Sequence, residues 1–443
     1  MSTSSPTSSP TSSPVASPVV GRRTGGAPIL LLNAQYLPTS KDWRTEGGRA
    51  DSPFHLGTFV REAQRAEAAG FDALFQADFS GVNRAALRSG PPLQLFESFQ
   101  AAAVIAGATS RIKVMPTVST MYAHPSAFAR GLASLDRLSE GRAWINVVSS
   151  FRPGTAIGVK REVSRSRHHA QAEEFLKVAK ELWASWPPEA NTPDPVTGHY
   201  IREELIKDVE HQGEFYRQSG PIDMAPYSAA FPFTLQATSS LTGLRLAART
   251  ADGVFAGTAT LGAAKELRRI LRREAVAAGR PADSVALLPG SYIHVVGTRE
   301  EAELLLSAER ARTEVFGGRL ALEQLRARYP GLRLDGVGPA DRIPADLISE
   351  DPDEVFEEFG SRYLPLWDLA RTDGRKPGRT VGEFAAEVIS LSEHARFIGT
   401  AEQIGDELRR WYEEGGVDGF QTILGNEFEA LCERVVPRFL GKS

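Results

Sequence analysis

Short apolar runs alternate with longer segments of helical spacing along almost the whole chain, and this alternation limits the fold more than any other feature. "PILLLNAQY" reads as a first strand, a compact apolar run behind a turn signal. "HLGTFVREAQRAEAAG" has the spacing of an amphipathic helix and stops at Gly70. Strand "FDALFQAD", helix "LQLFESFQAAAVIAGAT", strand "RIKVMPTVST", helix "PSAFARGLASLDRLSEG" and strand "RAWINVVSS" follow. After helix "AQAEEFLKVAKELWASW" the pattern resumes with strands "FTLQATS", "DGVFAGTA" and "VALLPGSYIHVVG", each with its helix, and it closes on strand "DGFQTIL". Strands apolar on both faces suit a parallel sheet covered by helices. About eight such units predict an α/β protein of the (β/α)8 TIM-barrel type. A doubly wound sheet is the alternative, but no G-x-G-x-x-G follows the first strand.

Two segments interrupt the alternation. One spans roughly 187–232 and is rich in proline and charge; the other spans roughly 320–380. The N-terminus repeats "TSSP" three times, and residues 1–27 bury too little apolar surface to offset chain entropy. The expected organisation is a disordered tail, 1–27, and one barrel domain, 28–443, with inserted segments. The tail has neither a charged start nor a continuous apolar stretch, which predicts a cytoplasmic protein.

Composition removes several classes of function. The 443 residues carry 51 basic and 55 acidic side chains, net −4, against a general nucleic-acid or membrane-surface binder. No apolar run approaches the roughly 20 residues of a membrane span. The single cysteine, Cys432, excludes a disulfide framework within the chain and reads as a small core residue. The eight histidines form no H-x-H or H-E-x-x-H pattern, so no metal site is expected. A G-x-S-x-G elbow is absent as well.

In a barrel, chemistry gathers at the C-terminal ends of the strands. "LFQAD" places Asp78 there, "PTVST" places Thr117 and Ser119, "NVVSS" follows Asn146, and "QATSS" places Ser239 and Ser240. These ends describe a site rich in hydrogen bonds and modest in charge. Ser239, Ser240 and Gly243 lie between a strand and a helix start, where hydroxyls and backbone N–H groups bind phosphate; Ser240 reads equally as a plain N-cap. Asn146 reads either as a site residue or as a satisfied core asparagine. His124, in "YAHP", reads as a cap, and Asp136 with Arg142 as a local ion pair below the site. "RARYPGLRL" and "ARTDGRKPGR" read either as a basic lid for an anionic substrate or as a solvated loop.

The stretches "FDALFQAD", "TVSTMYAHPSAFARGLASLDRLSEGRAWINVVSS", "AEEFLKVAKELWASW", "GEFYRQSGPIDMAP", "LQATSSLTGLRLAARTADGVFAG" and "FIGTAEQIGDELRRWYEEGGVDGF" together resemble the flavin-dependent monooxygenases of the bacterial-luciferase-like superfamily. The resemblance is to the branch that includes nitrilotriacetate, EDTA and dibenzothiophene-sulfone monooxygenases. It implies a barrel that takes reduced FMN from a separate flavin reductase, oxygenates a small organic substrate with O2 through a flavin peroxide, and forms a homodimer. It implies FMN contacts from Asp78, Thr117, Ser119, Asn146, Ser239 and Ser240, with Thr117 and Asn146 donating hydrogen bonds beside the reactive edge of the ring. Where family members often carry a histidine and a tyrosine before the helix after the fourth strand, this chain has Arg165 and His169. Arg165 suits a phosphate and His169 a ring-edge donor or an acid/base. Thr238 replaces a glycine of the phosphate turn, and "GTAIGV" is a shortened form of a family stretch. A deazaflavin-dependent oxidoreductase on the same barrel and a non-catalytic flavin-binding protein are the alternatives.

Overall fold

The computed structural model describes residues 28–33, 55–78, 96–149, 165–315, 317–372, 378–391, 393–424 and 428–441. The tail 1–27 and "GTAIGV" lie outside them. Thirteen strands are described: β1 Ile29–Asn33, β2 Ala73–Phe75, β3 Lys113–Met115, β4 Thr117–Ser119, β5 Ile145–Val148, β6 Glu210–Gln212, β7 Arg217–Ser219, β8 Thr234–Ala237, β9 Gly253–Phe255, β10 Ala286–Leu287, β11 Gly290–Val295, β12 Ala395–Gly399 and β13 Gly419–Leu424. Among their pairings only the β6–β7 hairpin, inside the first insertion, is antiparallel.

The two large parallel sheets, β12-β11-β13-β1-β2-β3 and β10-β9-β8-β5-β4, are one barrel divided at two prolines. Pro116 separates β3 from β4, and Pro289 separates β10 from β11. A proline has no N–H to give a ladder but keeps its carbonyl. Pro116 accordingly accepts from the Asn146 N–H at 2.9 Å, and Pro289 from the Gln421 N–H at 2.9 Å. Pairing therefore runs β1, β2, β3/β4, β5, β8, β9, β10/β11, β13 and back to β1. These are the eight strands that the sequence pattern predicts.

Side-chain alternation divides the core. Ile29 and Leu31 face inward and pack with Ala73, Phe75, Met115, Trp144 and Leu235 inside the barrel. Leu30 and Leu32 face outward, with Phe59, Ala63, Ile105 and Phe128 of the covering helices. Burying each such leucine contributes roughly 2 kcal/mol. Cys432 is among the buried residues, and burial pushes its thiol up to about 12.

Two features depart from the sequence pattern. "ARFIG" forms β12, parallel to β11, and was obscured by Arg396 within a short run. The second insertion is largely helical: Gly317–Arg328, Pro352–Phe359, Leu364–Thr372 and Val381–Ser390 enclose a core with the barrel helices Leu241–Thr250 and Leu261–Ala277. Three of its described arginines serve that packing. Arg326 donates to the carbonyls of Leu334 and Val337, Arg328 to that of Leu391, and Arg371 to that of Glu350. Asp136 and Arg142 do not pair as expected. Asp136 accepts from the backbone and hydroxyl of Ser228, whereas Arg142 donates to Thr109 and to the Ile112 and Ala106 carbonyls.

Candidate functional site

The register Thr117↔Asn146 sets two polar side chains side by side at the inward face of β4 and β5. Both are buried, at 6% and 2% exposure, so their hydrogen bonds must be supplied locally. The Thr117 hydroxyl donates to the Gln76 carbonyl at 2.6 Å, and the Asn146 amide nitrogen donates to the Thr117 oxygen at 3.0 Å. A hydroxyl has one proton. With that proton on Gln76, Thr117 can only accept from Asn146, and the orientation of the Asn146 amide follows. Asn146 Oδ1 then lies buried without a hydrogen-bond partner, and so does the Gln76 Nε2. Thr117 therefore has no proton left to donate toward a ring, whereas Asn146 gives one of its two amide N–H groups to Thr117 and presents Oδ1 as an open acceptor. Ser119 and Asp78 end β4 and follow β2 at the same mouth, both half-buried.

A second group lies along β5 and β8. A cavity of about 20 Å³ is bounded by Val147, Ser149, His169, Thr238 and Gly243, among others. His169 reaches it from the helix Arg165–Ser185; the side chain of Arg165 lies outside the described residues. Ser240 is the N-cap of the helix Leu241–Thr250, with extended backbone and its Oγ accepting from the Gly243 N–H at 3.2 Å. Ser239 is exposed beside it. A Cβ at Gly243 would fall 2.0 Å from the Thr238 hydroxyl, so Thr238 folds over the helix start and the glycine makes room for it. The second insertion holds this turn from outside. The Ser361 N–H donates to the Ser239 carbonyl at 2.8 Å, and Gly360, at φ 81°, lies so close that a Cβ would be 2.3 Å from that oxygen.

Sequence reasoning missed the floor of the mouth. Phe75 of β2 and Phe255 of β9 come from opposite sides of the barrel and meet with centroids 6.5 Å apart. Phe255 continues to the His394 ring at 5.2 Å, and His394 to Tyr292 of β11 at 5.8 Å. His394 arrives from the return of the insertion, directly before β12. No motif marked it, because its place depends on the missing side chain of Gly290, whose Cβ would lie 2.5 Å from the imidazole.

His124 is the expected cap: it precedes Pro125 and its ring nitrogen accepts from the Ser126 N–H at 3.3 Å. Among the described residues no three His, Cys, Asp or Glu side chains group to hold a metal, and no helix is long and apolar enough to cross a membrane.

The sequence profile of the luciferase-like monooxygenases matches residues 37–419. N-acetyl-S-(2-succino)cysteine monooxygenase of Bacillus subtilis is 30% identical over 404 residues, covering 89% of this chain and 88% of that protein. Nitrilotriacetate monooxygenase component A of Aminobacter aminovorans is 31% identical over 349 residues, covering 78% and 74%. Among solved structures, an EDTA monooxygenase from Chelativorans superposes with a TM-score of 0.71 at 24% identity, covering 94% of each chain. A riboflavin lyase, solved with modified FMN and riboflavin, superposes at 0.68 with 26% identity, covering 93% and 91%.

Proposed function

The chain belongs to the luciferase-like monooxygenase family, and on that premise we propose that it is the oxygenating component of a two-component system. It takes reduced FMN from a separate reductase and, with O2, oxygenates a small organic substrate as a homodimer. The observation that carries the FMN reading is the orphaned Asn146 oxygen, held in one orientation by Thr117 and Gln76. A buried acceptor without a donor costs on the order of 1–3 kcal/mol. That cost is recovered when a ligand N–H reaches it. A flavin ring offers N–H groups and carbonyl oxygens on one edge, which match the open Asn146 acceptor and the open Gln76 donor.

The residues fit the group in two further respects. A planar, mostly apolar ring needs a dry slot with few polar groups, and Phe75 and Phe255, backed by the fully buried Met115 and Leu288, supply an apolar floor beneath the mouth. Ser239, Ser240 and the start of the helix Leu241–Thr250 would hold the phosphate, with His169 beside them.

When bound, the reduced flavin supplies the electrons that activate oxygen. This chain's own residues do the rest. Asn146 would hold the polar edge of the ring through Oδ1, Thr117 keeps Asn146 in that orientation by accepting its amide N–H, and the aromatic floor would keep water out from below. Asp78 and Ser119 complete the polar rim.

Oxygen uptake with photoreduced FMN tests the reading. Uptake that rises with a candidate substrate, together with an oxygenated product, supports it; the substrates named for the two relatives are the first panel. Turnover of a deazaflavin without oxygen replaces it with the oxidoreductase reading. Tight FMN binding without turnover on any substrate reduces it to flavin binding.

A further inference from the structure

His394 and Tyr292 are the titratable side chains in the aromatic row that spans the mouth, and His394 is the one that the insertion contributes. By register, Gly290 pairs with Gln421 and Gln421 with Leu31, an inward position, so a side chain at Gly290 would point into the barrel. The His394 imidazole occupies that space. Its ring is tilted 37° to Phe255 and 51° to Tyr292, within the range of offset aromatic contacts. Gly257 leaves room for the same segment, since a Cβ there would be 2.5 Å from the Glu393 carbonyl. Two glycines, Gly257 just beyond β9 and Gly290 at the start of β11, thus admit Glu393 and His394 from the insertion into the wall of the site.

Resting on the flavin reading above, we propose that His394 is a contact residue for the bound ring system, contributed by the insertion and acting as a neutral imidazole. The floor from Phe75 to Tyr292 is aromatic throughout and polar only at the His394 imidazole and the Tyr292 phenol, so a planar ligand lying on it covers the imidazole and removes it further from water. Burial already lowers the His394 basicity, while Glu393 beside it pulls the other way. Tyr292 is the titratable group facing it from β11, with its phenol raised by burial and by Glu393; Phe255 on β9 carries no charge, and Arg396 and His294 lie two residues beyond on their strands. A ligand that prefers neutral His394 binds more weakly as pH falls through the imidazole value, because protonation must be reversed before the ring is covered.

The experiment titrates FMN and lumiflavin, which lacks the phosphate, into the full chain by fluorescence quenching from pH 5 to 8. It also follows the His394 resonance in histidine-labelled protein, assigned with His394→Phe. The expected result is that saturating FMN moves the His394 resonance and lowers its titration midpoint, and that lumiflavin affinity falls on acidification. His394→Phe, which keeps the stacking surface, should bind within about threefold of wild type and lose that pH dependence, whereas His394→Ala should weaken binding about three- to tenfold. FMN bound with an unmoved His394 resonance, or an unchanged pH profile in His394→Phe, overturns this proposal and leaves the flavin reading intact. Absence of FMN and lumiflavin binding at every pH overturns both.

Discussion

The Asn146 amide nitrogen lies 3.0 Å from a Thr117 hydroxyl whose proton is already committed, at 2.6 Å, to the Gln76 carbonyl. The three residues come from β5, β4 and the end of β2, so one chain of hydrogen bonds ties three strand ends together and leaves its last acceptor open. A network of this kind gives each member a definite direction of donation. It converts the question of what Asn146 does into a question of what donates to it.

Thr117→Val tests the chain of bonds. Valine keeps the shape but removes the hydroxyl, leaving the Gln76 carbonyl without its side-chain donor and the Asn146 amide without its acceptor. Two buried groups left unpaired cost roughly 2–4 kcal/mol. Urea unfolding should show that loss, with a smaller loss for Thr117→Ser. FMN affinity should fall about tenfold or more in Thr117→Val, because Asn146 is then free to rotate; unchanged affinity would detach Thr117 from the site.

Gly360→Ala tests the clamp on the Ser239–Ser240 turn, which is proposed above to hold the phosphate. Gly360 has φ 81° and ψ −175°, a conformation essentially confined to glycine, and its Cβ would enter the Ser239 carbonyl. The expected cost is roughly 1–3 kcal/mol from backbone strain alone, with earlier cleavage of the 317–390 segment in limited proteolysis. Weaker FMN binding should accompany it, since Ser239 loses the Ser361 N–H that fixes its carbonyl. A variant with wild-type protease resistance and affinity would show that the clamp is incidental.

The buried thiol gives a simple check on the C-terminal packing. Cys432 is enclosed by barrel helices and its thiol is pushed up to about 12, so almost none is thiolate near neutral pH. An aromatic disulfide reagent at pH 8 should leave the folded protein unmodified and titrate one thiol after denaturation. Rapid reaction of the native chain would place the last helix elsewhere.

Much of the fold was legible because period and punctuation agree. β1, β5 and β8 are short apolar runs, and Gly70 closes its helix in the left-handed conformation, as a helix-stop glycine should. That Thr117, Asn146, Ser239 and Ser240 stand at or near strand ends was legible from where each apolar run stops. The direction of the Thr117–Asn146 bond was not, since it depends on the backbone carbonyl of Gln76, which any residue at that position would present. His394 was illegible for a related reason: two absent side chains, at Gly257 and Gly290, create its place. Arg326, Arg328 and Arg371 were read as part of a lid or solvated loop because sequence shows charge but not the carbonyls that receive it.

Acid should release the β6–β7 hairpin before the barrel unfolds. Glu174, on the helix Arg165–Ser185, accepts from His211 at 3.0 Å and from the Tyr216 and Phe215 N–H groups at 2.8 and 3.1 Å. Gly213 leaves room for it, since a Cβ there would be 2.0 Å from the carboxylate. Burial works against the charged form, but the bonds from His211 and the two backbone N–H groups outweigh it and hold the carboxyl below its ordinary value. A carboxyl lowered in the folded state contributes its stability above the unfolded value, about 4.3, and loses it as pH falls through the folded value. The hairpin should therefore stay docked at neutral pH and detach in strongly acidic solution, with hydrogen exchange of the Phe215 and Tyr216 amides rising first. In Glu174→Gln the carboxamide still accepts one bond but does not titrate, so exchange at these two amides should be faster at neutral pH and lose its dependence on acid. If the wild-type amides instead become unprotected only together with β1 and β13, the hairpin is part of the global unfolding unit and the Glu174 staple does not act alone.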